Sequence, residues 1–377
     1  MAGWKDIANV WRNVREVDLR PIRDEAIRDL RIALVGKEGS GRQALAEHMR
    51  QDPARPGTRT HTPVLILDLE KNQGANDAHL IVLMVDAATR DFSRHQALVS
   101  RWSGAGKKVI VICNVNVMDE TQPLPNIDVV WDAYNLLVGP ADKPDYLLKH
   151  FVPAVMAALP DEHLSLGRHF PLFRVPIAHE LINETLFSNA AYALTSGLAE
   201  LVPMLGLPLS ISDMVVLTKA QAFLAYRLGL ELGFSPRWQD YLSEFGGVIG
   251  SGFLWRNLAR YLIGLIPLWG IVPKVAVTYA GTYVVGHAVL RWYLTGKHVS
   301  PAQIRQLYRQ AFDQGKAVAR GLLARRSRPR LSRRKRAELQ APPSVQTCPD
   351  CGNINAADAR FCQYCGHAFQ APLAESA

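Results

Sequence analysis

The stretch Ile32-Ala-Leu-Val-Gly-Lys-Glu-Gly-Ser-Gly-Arg-Gln43 decides the fold of the first half of the chain. Four apolar residues run into a loop that contains three glycines, and a helical pattern begins at about Ala44. Glycines that join a strand to a helix suit a phosphate group, because backbone N–H groups and the helix dipole then face the anion. A tight strand-to-helix turn without a ligand gives the same pattern.

Further apolar runs follow at helix-length intervals and predict a parallel sheet. They span residues 64–68, 80–86, 109–113 and 128–131. Continuous Val, Ile and Leu runs are typical of strands that are buried on both faces by helices. We therefore expect residues 30–160 to form a doubly wound α/β domain.

Composition and charge indicate several parts with different roles. The chain has 377 residues, of which 48% are hydrophobic and 20% charged, so it can bury a large core and is not disordered throughout. Its net charge is +9, but ten Lys or Arg residues and no acid lie between Asp313 and Glu338. The basic character therefore belongs to one linker, 324–345, and not to the whole surface.

The glycine-containing stretch keeps the spacing of a phosphate-binding P-loop but changes two of its side chains. The candidate nucleotide-binding residues here are Gly36, Gly39, Ser40, Gly41 and Arg42. Arg42 stands where the motif has lysine, and Gln43 stands where it has the Ser or Thr that ligates magnesium. Loss of the magnesium ligand weakens hydrolysis more than binding, because the metal neutralises charge that develops during phosphoryl transfer.

The order of motifs from Ile32 to Asp119 resembles an Era-like GTPase domain. A strand and a P-loop-like turn are followed by a strand that ends in Asp68, a Val-Asp-Ala strand and a strand that runs into Asn114. The resemblance implies a P-loop GTPase-like fold with GTP and Mg²⁺ as possible ligands and Asp68 on the metal side. It also implies that the guanine-reading motif falls at Asn114, or at Asn116 with Asp119.

The family motifs are incomplete in this sequence. The lysine of the guanine-reading motif is absent, Asp68 is followed by Leu-Glu-Lys71 instead of the expected glycine spacing, and the segment 43–64 is short for a switch I region. We expect any nucleotide to act as a conformational ligand and assign no catalytic residue. The alternatives are an active GTPase with substituted motifs and a soluble nucleic-acid-binding adaptor.

The apolar region 175–298 predicts a helical domain with membrane contact. Two stretches, 201–208 and 265–273, share a pattern of Pro and Gly. The two prolines, Pro203 and Pro267, are 64 residues apart, as are Gly206 and Gly270, which suggests a repeat of two apolar helical hairpins. The region resembles a membrane-associated helical domain of unknown function that is fused to such GTPase-like domains. We expect transmembrane helices, membrane lipids as partners and the cytoplasmic face of a bacterial inner membrane; an amphipathic helix at 1–29 leads into the first strand.

The C-terminal tail predicts a helix at 299–323, the basic flexible linker and a zinc ribbon at 346–370. Two Cys-x-x-Cys pairs supply four thiolates for one structural Zn²⁺, at Cys348, Cys351, Cys362 and Cys365. Such a closed site leaves no open metal position for catalysis, so the ribbon is expected to recruit a protein partner. The Arg-rich linker offers phosphate contacts to nucleic acid, but with few aromatic residues near it lipid or plain solvation is favoured.

Overall fold

The computed structural model describes residues 19–55, 57–87, 89–115, 135–199, 211–241 and 271–327, together with 345–347, 349 and 354–356. The chain divides into two compact units, Met1–Gly321 and Leu322–Ala377. The first unit contains a parallel α/β sheet followed by a helical part. This confirms the coarse fold prediction of a parallel α/β sheet with helical regions.

Five parallel strands form the sheet, in the order β2-β1-β3-β4-β5. Their bounds are β1 Ile32–Gly36, β2 Leu65–Asp68, β3 Leu80–Asp86, β4 Lys108–Asn114 and β5 Asn135–Gly139. The first four coincide with apolar runs in the sequence. The predicted run 128–131 lies outside the described residues, and the fifth described strand is Asn-Leu-Leu-Val-Gly, 135–139, which pairs with β4.

Helices cover the sheet because its central strands are apolar on both faces. Helix α1 Arg20–Ile27 precedes β1 and packs on α5 His163–His169, which in turn packs on the long helices of the helical part. The strands themselves contact α2 Arg42–Arg50, α3 Ser93–Gly104 and α4 Val152–Ala158. All five residues of β1 are buried. On one face, Val35, Leu83 and Val111 of the strands pack in one cluster with Val99 and Trp102 of α3. Burial of this apolar surface stabilises the layer arrangement.

Three long helices form the core of the helical part: α6 Arg174–Ala199, α7 Ile211–Glu231 and α8 Ile271–Thr295. Gly286 allows α8 to approach its neighbours, since a Cβ there would lie 3.0 Å from Ile182 Cγ1 and 3.3 Å from Leu224 Cδ2. At a nearby level the Asn189 amide donates to Thr282 Oγ1 over 3.0 Å, and both residues are buried. The apolar helix faces therefore pack on each other around a small polar contact.

The prediction of transmembrane helices is corrected by these segments. Among the described residues, no helix is long and apolar enough to cross a membrane. Charged residues interrupt the helices: α6 carries Glu180 and Glu184, and α7 carries Lys219 and Arg227. The prediction of membrane-crossing helices is therefore wrong for α6, α7 and α8. The predicted hairpin tip 201–208 and residues 265–270 of the predicted tip 265–273 lie outside the described residues.

The last described elements are one long helix and a strand pair. Helix α9, Pro301–Ser327, covers most of the predicted helix 299–323 and continues into the predicted linker. Strands β6 Val345–Thr347 and β7 Ile354–Ala356 pair in antiparallel fashion. The rest of the basic linker and the four cysteines of the predicted zinc ribbon lie outside the described residues.

Candidate functional site

The carboxyl ends of the strands bring several motif residues to one edge of the sheet. Gly36, the last residue of β1, is in register with Asp68 of β2 and with Met84 of β3. Asp86 of β3 is in register with Asn114 of β4. In open parallel sheets, ligands bind outside these ends where the strand order reverses. Here that point lies between β1 and β3, beside residues 36–41, which we call the glycine loop.

The backbone of the glycine loop requires glycine at two positions. Gly39 has a φ of +80° and Gly41 a φ of +94°, in the left-handed region that other residues rarely adopt. Helix α2 starts directly after Gly41, and none of the described side chains caps its start. Since the N–H groups of a first helical turn lack partners within the helix, this end offers donors and a positive dipole to an anion.

Two glycines of the loop also allow close packing. A Cβ on Gly36 would lie 2.6 Å from the Met84 carbonyl oxygen and 2.6 Å from Ser40 Oγ. A Cβ on Gly41 would lie 2.5 Å from Asn114 Nδ2. The loop is therefore pressed against β3 and β4, and a side chain at either glycine would displace it.

Asn114 holds the glycine loop in place. Its Nδ2 donates to the Ser40 carbonyl oxygen over 3.1 Å, and its Oδ1 accepts from the Ala141 N–H over 2.9 Å. The side chain is buried, so both bonds are shielded from water. The resemblance predicted a base-reading role for Asn114; the geometry gives it a positioning role, in which one amide joins the loop after β1 to the loop after β5.

Arg42 does not point its guanidinium at the glycine loop as the predicted phosphate ligand would. It donates instead to the carbonyl oxygen of Leu67 in β2, which ties the start of α2 to the neighbouring strand. A second tie to the same strand end is the Leu69 N–H, which donates to the Gly36 carbonyl oxygen over 3.0 Å. Arg42 therefore supports the shape of the site, and its predicted contact with phosphate stays a prediction.

Of the other predicted site residues, the structure describes Asp68 and Ser40 but not Asn116 and Asp119. Asp68 stands exposed beside Gly36, and its Oδ1 accepts from the Glu70 N–H over 2.9 Å. Ser40 is a buried residue of the loop, and its Oγ has no hydrogen-bond partner in the part of the chain that the structure describes. Asn116 and Asp119 lie outside the described residues. The structure thus brings together Gly36, Gly39, Ser40, Gly41, Asp68 and Asn114.

Sequence reasoning missed a histidine beside the glycine loop. His95 of α3 is 2% exposed, and its Nδ1 has no hydrogen-bond partner. Burial lowers the pKa of His95, the charge of Lys37 lowers it further, and Asp91 opposes this shift. Lys37 itself is an exposed residue of the glycine loop. The apolar spacing of Leu98 and Trp102 on α3 was the signal that could have placed His95 on a buried face.

Cys113 lies next to the motif residues but is unsuited to nucleophilic chemistry. Burial, helped by the charge of Asp86, raises the pKa of the Cys113 thiol to about 11. Since the thiolate is the reactive form, a thiol with this pKa is inert at neutral pH. The edge of the sheet therefore offers backbone donors and a lysine, which suit anion binding better than covalent catalysis.

The predicted metal-binding site has no counterpart in the described part of the chain. There, no group of three or more His, Cys, Asp or Glu residues is placed to hold a metal ion. Cys113 is a free, buried cysteine. For the described residues, the metal-binding prediction is therefore corrected. The four cysteines on which it was based, at 348, 351, 362 and 365, lie outside the described residues.

Comparison with known proteins adds no family assignment. No protein-family model matches the chain, and no curated protein matches it either. The functional interpretation of the site therefore depends on the geometry of its residues.

Proposed function

We propose that this chain binds the phosphate groups of a purine nucleotide, GTP with Mg²⁺ in the first instance, at the glycine loop. The nucleotide acts in this proposal as a regulatory ligand and not as the substrate of efficient hydrolysis. The protein would thus be a GTPase-like regulatory component with a degenerate site.

The observation that carries the proposal is the way the glycine loop is held. Gly39 and Gly41 adopt left-handed backbone conformations, and the Asn114 amide fixes the Ser40 carbonyl between them. A turn that only connects a strand to a helix needs neither a buried amide clamp nor a location at the reversal of strand order. Both features favour a loop whose shape is set for an anion.

Charge at the loop supports the same proposal. Lys37 is exposed on the glycine loop and close enough to affect His95 electrostatically. It supplies the positive charge that the P-loop lysine gives in other nucleotide-binding proteins, since Arg42 is engaged with Leu67. A lysine is a flexible point charge, so it can reach phosphate from a position that the motif does not specify.

Efficient hydrolysis is not expected from this arrangement. Gln43 is exposed at the position of the hydroxyl that would ligate magnesium, and an amide side chain is a poor substitute. The carboxylate of Asp68, which is in register with Gly36, would be left to contact Mg²⁺ without a hydroxyl ligand beside it. We therefore expect saturable binding with slow or undetectable phosphate release.

Titration of the full chain with fluorescent GTP and fluorescent ATP, each with and without Mg²⁺, tests the proposal. The decisive variant is Gly41→Ala, because its Cβ would meet Asn114 Nδ2 at 2.5 Å and its backbone would be strained. The displaced Asn114 amide should cost the loop about 1–2 kcal/mol of its interaction with phosphate, which corresponds to about five- to thirtyfold weaker binding.

Gly106→Ala is the matched control for Gly41→Ala. Gly106 also has a positive φ, +73°, but no atom lies within 4 Å of its Cβ position, and it precedes β4 at the opposite edge of the sheet. Gly106→Ala should bind nucleotide like the unmodified chain. Absence of saturation by either nucleotide in the unmodified chain would refute the proposal, and equal losses in both variants would refute the role of the loop.

A further inference from the structure

Residues 51–55 and 57–62, which follow α2 and precede β2, are held together by hydrogen bonds of their own backbone. Gln51 and Arg59 form an antiparallel bridge, and the Asp52 N–H donates to the Thr58 carbonyl oxygen over 3.1 Å. The Thr60 N–H donates to the carbonyl oxygen of Arg50, the last residue of α2, over 3.0 Å. The segment therefore moves with the carboxyl end of α2 as one piece.

This segment is attached to the helical part by side-chain bonds. The hydroxyls of Thr60 and Thr62 both donate to the His169 carbonyl oxygen, over 3.1 Å and 2.7 Å. Asp52 Oδ2 lies 3.6 Å from Arg174 at the start of α6, and both residues are at least 95% buried. We call Asp52, Thr60, Thr62, His169 and Arg174 the joint.

Arg174 has a second acidic neighbour with which it forms no hydrogen bond. Glu231, at the end of α7, is fully buried, and among the described residues neither of its carboxyl oxygens has a hydrogen-bond partner. The charged groups that act on Glu231 are Arg174, Asp52 and Arg55. Glu231 is packed against Gly167, whose carbonyl oxygen accepts from Arg174 Nε over 3.2 Å. Arg174 can thus pair with Asp52, as in this structure, or turn toward Glu231.

Helix α2 connects the joint to the glycine loop. Its first turn follows Gly41 and its last residue, Arg50, accepts from Thr60, so nine residues or about 13 Å of helix separate the two sites. A helix of this length transmits displacement as a rigid rod. The start of α2 is also bonded to β2, from Arg42 to the Leu67 carbonyl oxygen, so a shift of α2 would also act on the strand beside the glycine loop.

We propose that the joint couples phosphate binding at the glycine loop to the helical part, with Arg174 paired to Asp52 in the nucleotide-bound state and released from it when the joint opens. This inference rests on the proposed function, because it needs a ligand at the loop. Coupling between two sites is reciprocal, so closure of the joint must strengthen nucleotide binding by the same factor by which nucleotide favours the closed joint.

Two measurements on the full chain test the coupling. Fluorescent GTP titration gives the affinity, and hydrogen–deuterium exchange of the amides of residues 57–62, with and without GTP, reports the state of the joint. We expect GTP to slow this exchange in the unmodified chain. Thr62→Val removes the 2.7 Å bond to His169, and we expect it to speed the exchange and weaken GTP binding about fivefold or more.

Thr195→Val is the matched control. Its hydroxyl donates only within α6, to the Ala191 and Tyr192 carbonyl oxygens, on an exposed face. If GTP binds the unmodified chain while Thr62→Val binds it as tightly as Thr195→Val does, the coupling is refuted and the proposed function stands. If the unmodified chain binds no GTP or ATP, the proposed function fails first and the coupling with it.

Glu231→Gln keeps the test decisive if Thr62→Val does not fold. The amide is nearly isosteric with the protonated carboxyl but cannot lose a proton when the joint opens, so it offers Arg174 no alternative charged partner and the Asp52 pair should persist. We expect slower exchange of residues 57–62 at pH 8 than in the unmodified chain, and GTP affinity at least as high. Unchanged exchange together with unchanged affinity would overturn the proposal.

Discussion

At the scale of one residue, the unusual feature is the environment of the Glu231 carboxyl group. It is fully buried and both oxygens lack hydrogen-bond partners, although Arg174 is near. Burial raises its pKa well above the usual value, and the charge of Arg174 reduces this effect only in part. An ionised carboxylate would be costly in this place, so the folded chain holds the proton that the unfolded chain releases.

The pH dependence of stability follows from that proton. Between about pH 4.5, where an unfolded glutamate ionises, and the higher pKa of the folded state, the folded chain binds one more proton. The free energy of unfolding should therefore fall as the pH rises through this window. In Glu231→Gln the slope should be less negative, by up to one proton within this window, as measured by urea denaturation at several pH values above 5.

Glu184→Gln is the control for this experiment, since the Glu184 carboxylate is exposed and pairs with Arg227. It should keep the slope of the unmodified chain. The assignment of the proton to Glu231 would be wrong if Glu231→Gln and Glu184→Gln gave the same slope.

Single residues also show where sequence reasoning reached its limit at the site. Gly36 and Gly41 could be assigned to a loop before a helix, because glycines after an apolar run have few other uses. The direction of Arg42 could not, since its partner is a backbone carbonyl in β2 that any sequence would offer. The clamp by Asn114 joins positions 74 residues apart, and its second partner, the Ala141 N–H, leaves no sequence signal.

At the scale of elements, α9 packs on α8 through a glycine. A Cβ on Gly315 would lie 2.9 Å from Ala276 Cα and 3.0 Å from Tyr279 Cβ, so the two helices are in backbone contact there. Gly321, less than two turns later on the same helix, has no atom within 4 Å of its Cβ position. The two glycines separate the effect of helix propensity from that of packing.

Alanine at these two positions should have opposite effects on stability. Gly321→Ala should stabilise by about 0.5–1 kcal/mol, because alanine is the better helix former. Gly315→Ala gains the same propensity but must push α8 away, and overpacking costs about 1–3 kcal/mol, so it should be destabilising. Thermal or urea denaturation of both variants measures this, and stabilisation by Gly315→Ala would show that the helices are not in backbone contact.

The sequence predicted the strands of the sheet better than the environment of the long helices. The four strands β1 to β4 were predicted because parallel strands buried on both faces leave long apolar runs in the sequence.

The error in the helical part has a related cause. Helices α6, α7 and α8 are apolar around much of their circumference because they pack on each other, and a buried bundle helix resembles a membrane helix in composition. Charged residues such as Glu184 and Lys219 within them argue for the bundle.

At the scale of the whole molecule, the α/β part and the helical part belong to one compact unit, Met1–Gly321. Arg28, after α1, forms an ion pair of 2.7 Å with Glu162, which precedes α5. The Leu164 N–H donates to Glu25 over 3.2 Å, and the joint adds the bonds from Thr60 and Thr62. The sequence predicts the ranges of the two parts, 30–160 and 175–298, but contacts between distant polar residues leave no periodic pattern that would show how the parts are joined.

We therefore expect the sheet and the long helices to unfold together. Hydrogen–deuterium exchange at increasing urea should give the same midpoint for the amides of β3 and for those of α8, as a cooperative unit requires. The amides of β6 and β7 belong to the other unit and serve as an internal reference. Opening of α8 at clearly lower urea than β3 would contradict a single cooperative unit.

The Asn114 clamp has a consequence for biosynthesis. The chain emerges from the ribosome with its amino-terminal end first, so β1 and the loop that follows it are made long before residues 114 and 141. Until both have emerged and β4 has been added to the sheet, the Ser40 carbonyl has no side chain to hold it. A nascent chain that stops short of residue 141 would therefore carry the glycines but lack a loop in its final shape.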